Sequence, residues 1–289
     1  MPVETGQTNT LTLRAGLVGR GIGASRTPAM HMAEGRAQGL DYDYHIIDMD
    51  EAPAGRDLAE VLGRADSEGL AGLNVTYPYK VAVLDHLHEL SDNARALGAV
   101  NTVVFRDGRR RGHNTDLWGF AESFRRGMDG VPLDQVLLVG AGGAGAAVAH
   151  AVLQLGTARL WIHDTDETRA MSVAGALNDR FGQGRAAVAP SPEAVAQDLA
   201  GIINATPVGM AKLPGCPFPT DLLHPGLWVA DIVYFPLETE LLAAARAAGC
   251  RVLPGAGMAV FQAARAYELF TGRVPDPDRM RATFDALGN

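Results

Sequence analysis

Val136-Leu137-Leu138-Val139-Gly140-Ala141-Gly142-Gly143-Ala144-Gly145 reads as an apolar strand running into a glycine-spaced turn. An alanine-rich stretch over 146–155 follows it and reads as a helix. Strand, Gly-x-Gly-x-x-Gly and helix, in that order, are what a dinucleotide-binding turn requires. The first glycine makes the tight turn, and the second lets a pyrophosphate approach the backbone. The third lets helix and strand pack closely. A tight turn in an alanine-rich chain would look similar in isolation, so the surroundings decide. Six strands are predicted from here on, over 136–139, 160–163, 187–189, 201–204, 228–232 and 251–253. Helical stretches over 146–155, 168–181 and 239–248 separate most of them. Strands with helical crossovers that start at a glycine loop predict a doubly wound Rossmann-type nucleotide domain.

Asp164 ends the second of these strands, nineteen residues past Gly145. An acid there can accept hydrogen bonds from ribose hydroxyls, and it can equally cap the next helix. The residues after it, Thr165 and Asp166, offer no cation for a 2′-phosphate, and Arg169 falls inside the helix. Charge alone favours NAD over NADP.

Upstream, the same alternation of strands and helices makes the whole chain α/β. Strands are predicted over 13–18, 44–47, 73–75 and 100–105. Helices are predicted over 28–38, with Thr27 as N-cap and Gly39 beyond the end, and over 57–64. Pro78 is expected to open another, with Val81, Leu84 and Leu87 on its apolar face. A last helix over 258–270 lies beyond the sixth nucleotide strand and is expected to return to the first domain. The predicted division is a substrate domain, 1–115 plus 256–289, and a nucleotide domain, 116–255.

The 289 residues suit two domains, and the 47% hydrophobic content can fill their cores. A net charge of −8 argues against a nucleic-acid or anionic-membrane surface. The one basic run, Arg109-Arg110-Arg111, follows Asp107-Gly108 and reads as a solvated hairpin tip. Cys216 and Cys250 stand far apart, without metal-ligand spacing, so no disulfide framework and no metal site are expected. No long apolar run suggests a membrane span, and Met1 to Thr10 is polar and lacks an apolar signal core. A cytoplasmic protein is the expectation.

Polar residues break the apolar pattern of the first domain at four places. Asn74 and Thr76 alternate out of an apolar strand just before Lys80, and Asn101-Thr102 repeats that arrangement. Asn114-Thr115-Asp116 leads into the second domain. Ser25-Arg26-Thr27 precedes a helix start, where hydroxyls and backbone N–H groups can hold a carboxylate. Each alone could be turn or cap chemistry. Four together suggest a small pocket for a polyol acid.

These motifs resemble the shikimate/quinate dehydrogenase family over almost the whole chain. The similarity rests on Ser25-Arg26-Thr27-Pro28, Gly72-Leu73-Asn74-Val75-Thr76-Tyr77-Pro78-Tyr79-Lys80, Asn101-Thr102 and Asn114-Thr115-Asp116. It continues through Asn204-Ala205-Thr206-Pro207, Asp231-Ile232-Val233-Tyr234-Phe235-Pro236, and Gly257-Met258 onward to Gln262. The resemblance implies an active-site cleft between the domains and hydride transfer at the C3 hydroxyl of quinate or shikimate. It implies Lys80 and Asp116 as the catalytic pair. Ser25, Thr27, Asn74, Thr76, Asn101, Tyr234 and Gln262 would contact substrate along with them. The cofactor would meet Gly140, Ala141, Gly142, Gly143, Ala144, Gly145, Asp164, Arg169, Thr206, Val233, Gly255 and Met258. Commonest biosynthetic members read Ser-x-Ser where Ser25-Arg26-Thr27 stands. They carry Asn-Arg-Ser/Thr where this chain has His163-Asp164-Thr165. Both departures resemble the NAD-dependent quinate/shikimate branch. An NADP-dependent shikimate enzyme, an aminoshikimate-type paralogue and a non-catalytic regulator that senses nucleotide and quinate are the alternatives. A homodimer is left open.

Overall fold

Strands and helices alternate along the described residues. The computed structural model describes residues 12–51 and 56–288. The polar stretch Met1 to Thr10 lies outside the described residues. In chain order the elements are β1 Leu13–Gly19, α1 Thr27–Ala37, β2 Tyr42–Asp48, α2 Leu58–Ser67, β3 Gly72–Val75, β4 Glu89–Leu90, α3 Asp92–Leu97, β5 Thr102–Arg106, β6 Arg109–His113 and α4 Thr115–Gly127. Then come β7 Gln135–Val139, α5 Gly143–Gln154, β8 Arg159–His163, α6 Glu167–Phe181, β9 Ala186–Val188, β10 Gly201–Asn204, β11 Trp228–Asp231, α7 Glu240–Ala247, β12 Arg251–Leu253, α8 Ala256–Thr271 and α9 Pro277–Ala286.

These form two compact units. The first comprises Met1–Ser91, Val100–His113 and Ala266–Leu287. The second comprises Asp92–Ala99, Asn114–Arg265 and Gly288–Asn289. Relative to the expected boundaries, α3 groups with the second unit, and α8 passes from one unit to the other at Arg265 instead of starting in the first.

The first unit is built on a mixed sheet of order β2-β1-β3-β5-β6-β4. β1 runs parallel to β2 and β3, and β5 is antiparallel to β3, with Asn74 opposite Thr102. Its core gathers Ala15, Leu17, Tyr42, Tyr44 and Val104 with Tyr267 and Phe270 of α8.

The second unit is a parallel sheet of order β12-β11-β10-β7-β8-β9, the doubly wound arrangement, and its six strands are the six predicted ones. Strand order reverses between β7 and β10. β7 alternates Val136 and Leu138 into one apolar cluster and Leu137 and Val139 into another, so it is buried on both faces. That is why its sequence reads as an unbroken apolar run.

Three local expectations are corrected. No α-helix follows Pro78: the Tyr77–Pro78 bond is cis, and a turn leads to a single 3-10 segment, Ala82–His86, that buries Val83 and leaves Val81 exposed. Thr27 is the first residue of α1 and not its N-cap, a position held by Arg26 without a side-chain cap bond. The arginine run is no hairpin tip. Asp107 and Gly108, at positive φ, make the turn, and Arg109 to Arg111 begin β6 with ion pairs from Arg109 to Glu89 (2.8 Å) and Arg110 to Asp66 (3.2 Å).

Candidate functional site

In the second unit, β7 ends at Gly140, whose φ of 102° suits glycine and turns the chain towards α5. A Cβ on Gly145 would lie 2.0 Å from the Gly140 carbonyl oxygen, so helix and strand approach as closely as they do because Gly145 carries no side chain. At Gly142 and Gly143 an added Cβ would meet nothing within 4 Å. The glycine loop therefore borders open space at the start of α5. A diphosphate fits such a place, because the helix dipole and the unpaired N–H groups both favour an anion.

Asp164, at the end of β8, accepts hydrogen bonds from the Ala141 N–H (2.7 Å) and the Asp166 N–H (2.9 Å). It ties the glycine loop to β8, and its side chain is 9% exposed. The N-cap of α6 is Asp166, not Asp164. Arg169 pairs with Asp166 at 3.3 Å and lies 3.9 Å from Asp164.

At the switch point, β10 and β11 end in two buried polar residues that the sequence reading passed over. Asn204 Oδ1 accepts from the Thr206 N–H (2.9 Å) and hydroxyl (2.8 Å). Its Nδ2 donates to Val208 O and to Asp231 Oδ1, both at 3.0 Å. Asp231 also accepts from the Val233 N–H (2.9 Å) and the Thr239 hydroxyl (2.7 Å). Burial pushes the Asp231 carboxyl up to about 6, and the three donors oppose that rise. Thr206 and Val233 are thus held from one hub. Gly255 lies against the same turn, since its Cβ would come within 2.5 Å of the Ile232 and Val233 carbonyl oxygens. A polar residue closing an apolar strand was the available signal for Asn204 and Asp231.

Asp116 sits in the first turn of α4, buried, behind an N-cap made by Asn114 Oδ1, which accepts from the Asp116 and Leu117 N–H groups. α4 meets α8 closely because Gly119 has no Cβ: one there would lie 2.7 Å from the Gln262 nitrogen and 2.9 Å from the Met258 carbonyl oxygen. That approach brings the start of α4 beside Gln262, to which the Thr115 hydroxyl donates at 3.5 Å. Tyr234 lies between β11 and α7 and is exposed.

In the first unit, Asn74 and Asn101 are buried on neighbouring antiparallel segments. Thr76 follows β3, its N–H bonded to Val18 O. Lys80 ends the cis-proline turn, and its carbonyl accepts from the Val100 N–H at 2.8 Å. Ser25 Oγ accepts from the Thr27 N–H at 3.3 Å, which fixes the hydroxyl at the start of α1. Arg26 turns away: its guanidinium donates to Phe284 O (3.0 Å) and covers the Phe284 ring at 4.6 Å. Asp48 holds the preceding loop through the Gly21 and Ile22 N–H groups, and those bonds with the Asp50 N–H keep its carboxyl below the usual range. Among the described residues no helix is long and apolar enough to cross a membrane.

The sequence matches the model of the shikimate dehydrogenase substrate binding domain over residues 17–103. It matches the shikimate 5′-dehydrogenase C-terminal domain over 255–283. It is 55% identical to the shikimate dehydrogenase (NADP(+)) of Streptomyces avermitilis, covering 94% of each chain. It is 48% identical to the quinate/shikimate dehydrogenase (NAD(+)) of Corynebacterium efficiens, covering 94% of this chain and 97% of the relative. The solved quinate dehydrogenase from Corynebacterium glutamicum in complex with NAD superposes with a TM-score of 0.91 at 45% identity, over 95% of this chain and 99% of the other.

Proposed function

Because the chain belongs to the shikimate and quinate dehydrogenase family, we propose that it reversibly oxidises the C3 hydroxyl of quinate and of shikimate with NAD as hydride acceptor. The observation that carries the substrate reading is the pair of buried amides, Asn74 and Asn101, on adjacent antiparallel segments beside Thr76 and Lys80. Amides and hydroxyls both donate and accept, which suits the vicinal hydroxyls of a polyol ring. Ser25 and Thr27 at the start of α1 suit its carboxylate, with Tyr234, Asp116 and Gln262 as further contacts.

When bound, NAD would supply the acceptor for the hydride that leaves C3. Lys80 orients the C3 hydroxyl and passes its proton to water, and Asp116 accepts from a ring hydroxyl and restricts the pose. Gly140 to Gly145 would hold the diphosphate and Asp164 the adenosine ribose. Arg169, Thr206, Val233, Gly255 and Met258 would line the remainder. Relatives named for each nucleotide exist, so local charge decides. A 2′-phosphate near Arg169 would meet one cation already paired with Asp166 and close to Asp164, which favours NAD. Spent nucleotide must be regenerated by other enzymes, which favours the cytoplasm.

Steady-state absorbance at the nicotinamide band, with two acids crossed against two nucleotides, tests the reading. Turnover of both acids with NAD is expected. Equal rates with NADP would remove Asp164 from the ribose, and binding without turnover would make the chain a regulator. Lys80→Ala is expected to lower kcat by roughly two to four orders of magnitude. Near-normal turnover in that variant would take the proton relay away from Lys80.

A further inference from the structure

Four polar side chains of the first unit form a continuous buried chain. Tyr44 of β2 donates its hydroxyl to Asn74 Oδ1 at 2.6 Å. Asn74 Nδ2 donates to the Asn101 carbonyl oxygen at 3.3 Å and to Thr102 Oγ1 at 2.9 Å. Thr102 Oγ1 donates to Asn101 Oδ1 at 3.1 Å. Tyr44, Asn74 and Asn101 are each 4% exposed and Thr102 is fully buried, amid apolar neighbours such as Leu73 and Val103.

The direction of each bond follows from chemistry. A main-chain carbonyl can only accept, so the face of Asn74 turned to the Asn101 carbonyl must be the NH2 group. Asn74 Oδ1 then faces Tyr44, whose hydroxyl must donate. Burial holds the Tyr44 phenol well above its ordinary value, so that proton stays in place. The second Nδ2 proton goes to Thr102 Oγ1, and the single Thr102 proton goes on to Asn101 Oδ1. That oxygen is committed as an acceptor inside the unit.

We propose that Tyr44 and Thr102 are positioning residues for substrate recognition, which hold the Asn74 and Asn101 amides in the orientation that meets the ring oxygens of a polyol acid. This deepens the dehydrogenase reading and rests on it. Burying four polar groups where apolar ones would pack carries a desolvation cost that is met only when every group is paired. The ring of Tyr44 is itself fixed by His31, with centroids 4.6 Å apart, so the first donor in the chain has little freedom.

The test uses the whole chain and compares Tyr44→Phe, Thr102→Val and Thr102→Ser. Tyr44→Phe keeps the ring and removes one O–H. Thr102→Val keeps the shape and removes the hydroxyl, whereas Thr102→Ser keeps the hydroxyl and removes a methyl. Loss of a link is expected to raise KM for shikimate and quinate roughly tenfold in Tyr44→Phe and Thr102→Val, with KM for NAD unchanged and Thr102→Ser close to the natural protein. The dissociation constant of shikimate by calorimetry should move with KM. If Thr102→Val is harmless and Thr102→Ser harmful, the site is packing only and the inference is overturned. Acid KM values within twofold of the natural protein in Tyr44→Phe overturn it as well. A natural chain that binds shikimate without turnover defeats the enzyme reading and leaves the dissociation constants to decide this one. A natural chain that binds neither acid overturns both.

Discussion

His31 shows how one side chain sets the response of the fold to acid. It is fully buried on α1, with Nδ1 2.9 Å from the Tyr42 hydroxyl and Nε2 without a hydrogen-bond partner among the described residues. Tyr42, Tyr44, Tyr267 and Phe270 surround it. Burial pushes its imidazole down from 6.5 to about 3. Between those values the unfolded chain binds a proton that the folded chain refuses. Stability therefore falls as pH falls from 6.5 towards 3, by about 1.4 kcal/mol per pH unit for a whole proton. Asp231 acts in the opposite sense. Its carboxyl is raised from 3.8 to about 6, so it contributes stability that is present at low pH and lost as pH rises through that window. Glu34, held low by Arg279, adds to the acid loss as pH falls below its ordinary 4.5. His31→Phe is expected to flatten the acid limb or reverse its slope between pH 6 and 4, measured as urea unfolding free energy against pH. Parallel curves for variant and natural protein would show that another group carries the acid response.

At the scale of elements, α9 is the part that the sequence reading did not anticipate, and it matters for where α1 sits. Glu34 of α1 is fully buried and receives Arg279 of α9 at 2.6 and 3.1 Å, with Gln38 at 2.7 Å and the Asp276 N–H at 3.0 Å. Met280 and Phe284 are the buried residues of α9, and Phe284 also anchors Arg26 between Ser25 and Thr27. Phe284→Ala removes a fully buried ring and is expected to destabilise the protein by about 3–5 kcal/mol in urea unfolding. A loss below about 1 kcal/mol would mean that α9 contributes little to holding α1. This helix was hard to read because Met280 and Phe284 are its only large apolar residues, set among charged ones, although Asp276 before Pro277 is a start signal. The six strands of the second unit were legible for the opposite reason: burial on both faces writes continuous apolar runs. The segment after Pro78 misled through Val81, Leu84 and Leu87. Their spacing of three fits a helix face, yet the chain turns there through a cis proline and buries Val83 instead. Asn74, Thr76, Asn101 and Asp116 stood out as polar interruptions of apolar pattern. Tyr44 did not, because an aromatic residue in a strand reads as core until its partner thirty residues away is known.

Across the whole molecule, two units with separate sheets raise the question of whether ligands stabilise them separately. α8 belongs to both, carrying Met258 in the second unit and Tyr267 and Phe270 in the core of the first. The proposed nucleotide contacts, from Gly140 to Met258, all fall within the second unit, whereas of the proposed substrate contacts Ser25, Thr27, Asn74, Thr76, Lys80 and Asn101 fall within the first and Asp116, Tyr234 and Gln262 within the second. A ligand stabilises whatever must unfold to release it, by about 2.7 kcal/mol at a hundred times its Kd. If each unit opens on its own, NAD should slow amide exchange in β7, β8 and β10 by up to roughly a hundredfold and leave β1 to β3 within a few fold. Shikimate should protect β1 and β3, with a smaller effect in the second unit through Asp116, Tyr234 and Gln262. Hydrogen exchange followed by mass spectrometry on peptides from each sheet reads both effects at once. Equal slowing of both sheets by NAD would mean that the chain opens as one cooperative block through α8. No slowing in either sheet at saturating NAD would remove the nucleotide from the glycine loop and with it the cofactor half of the proposed function.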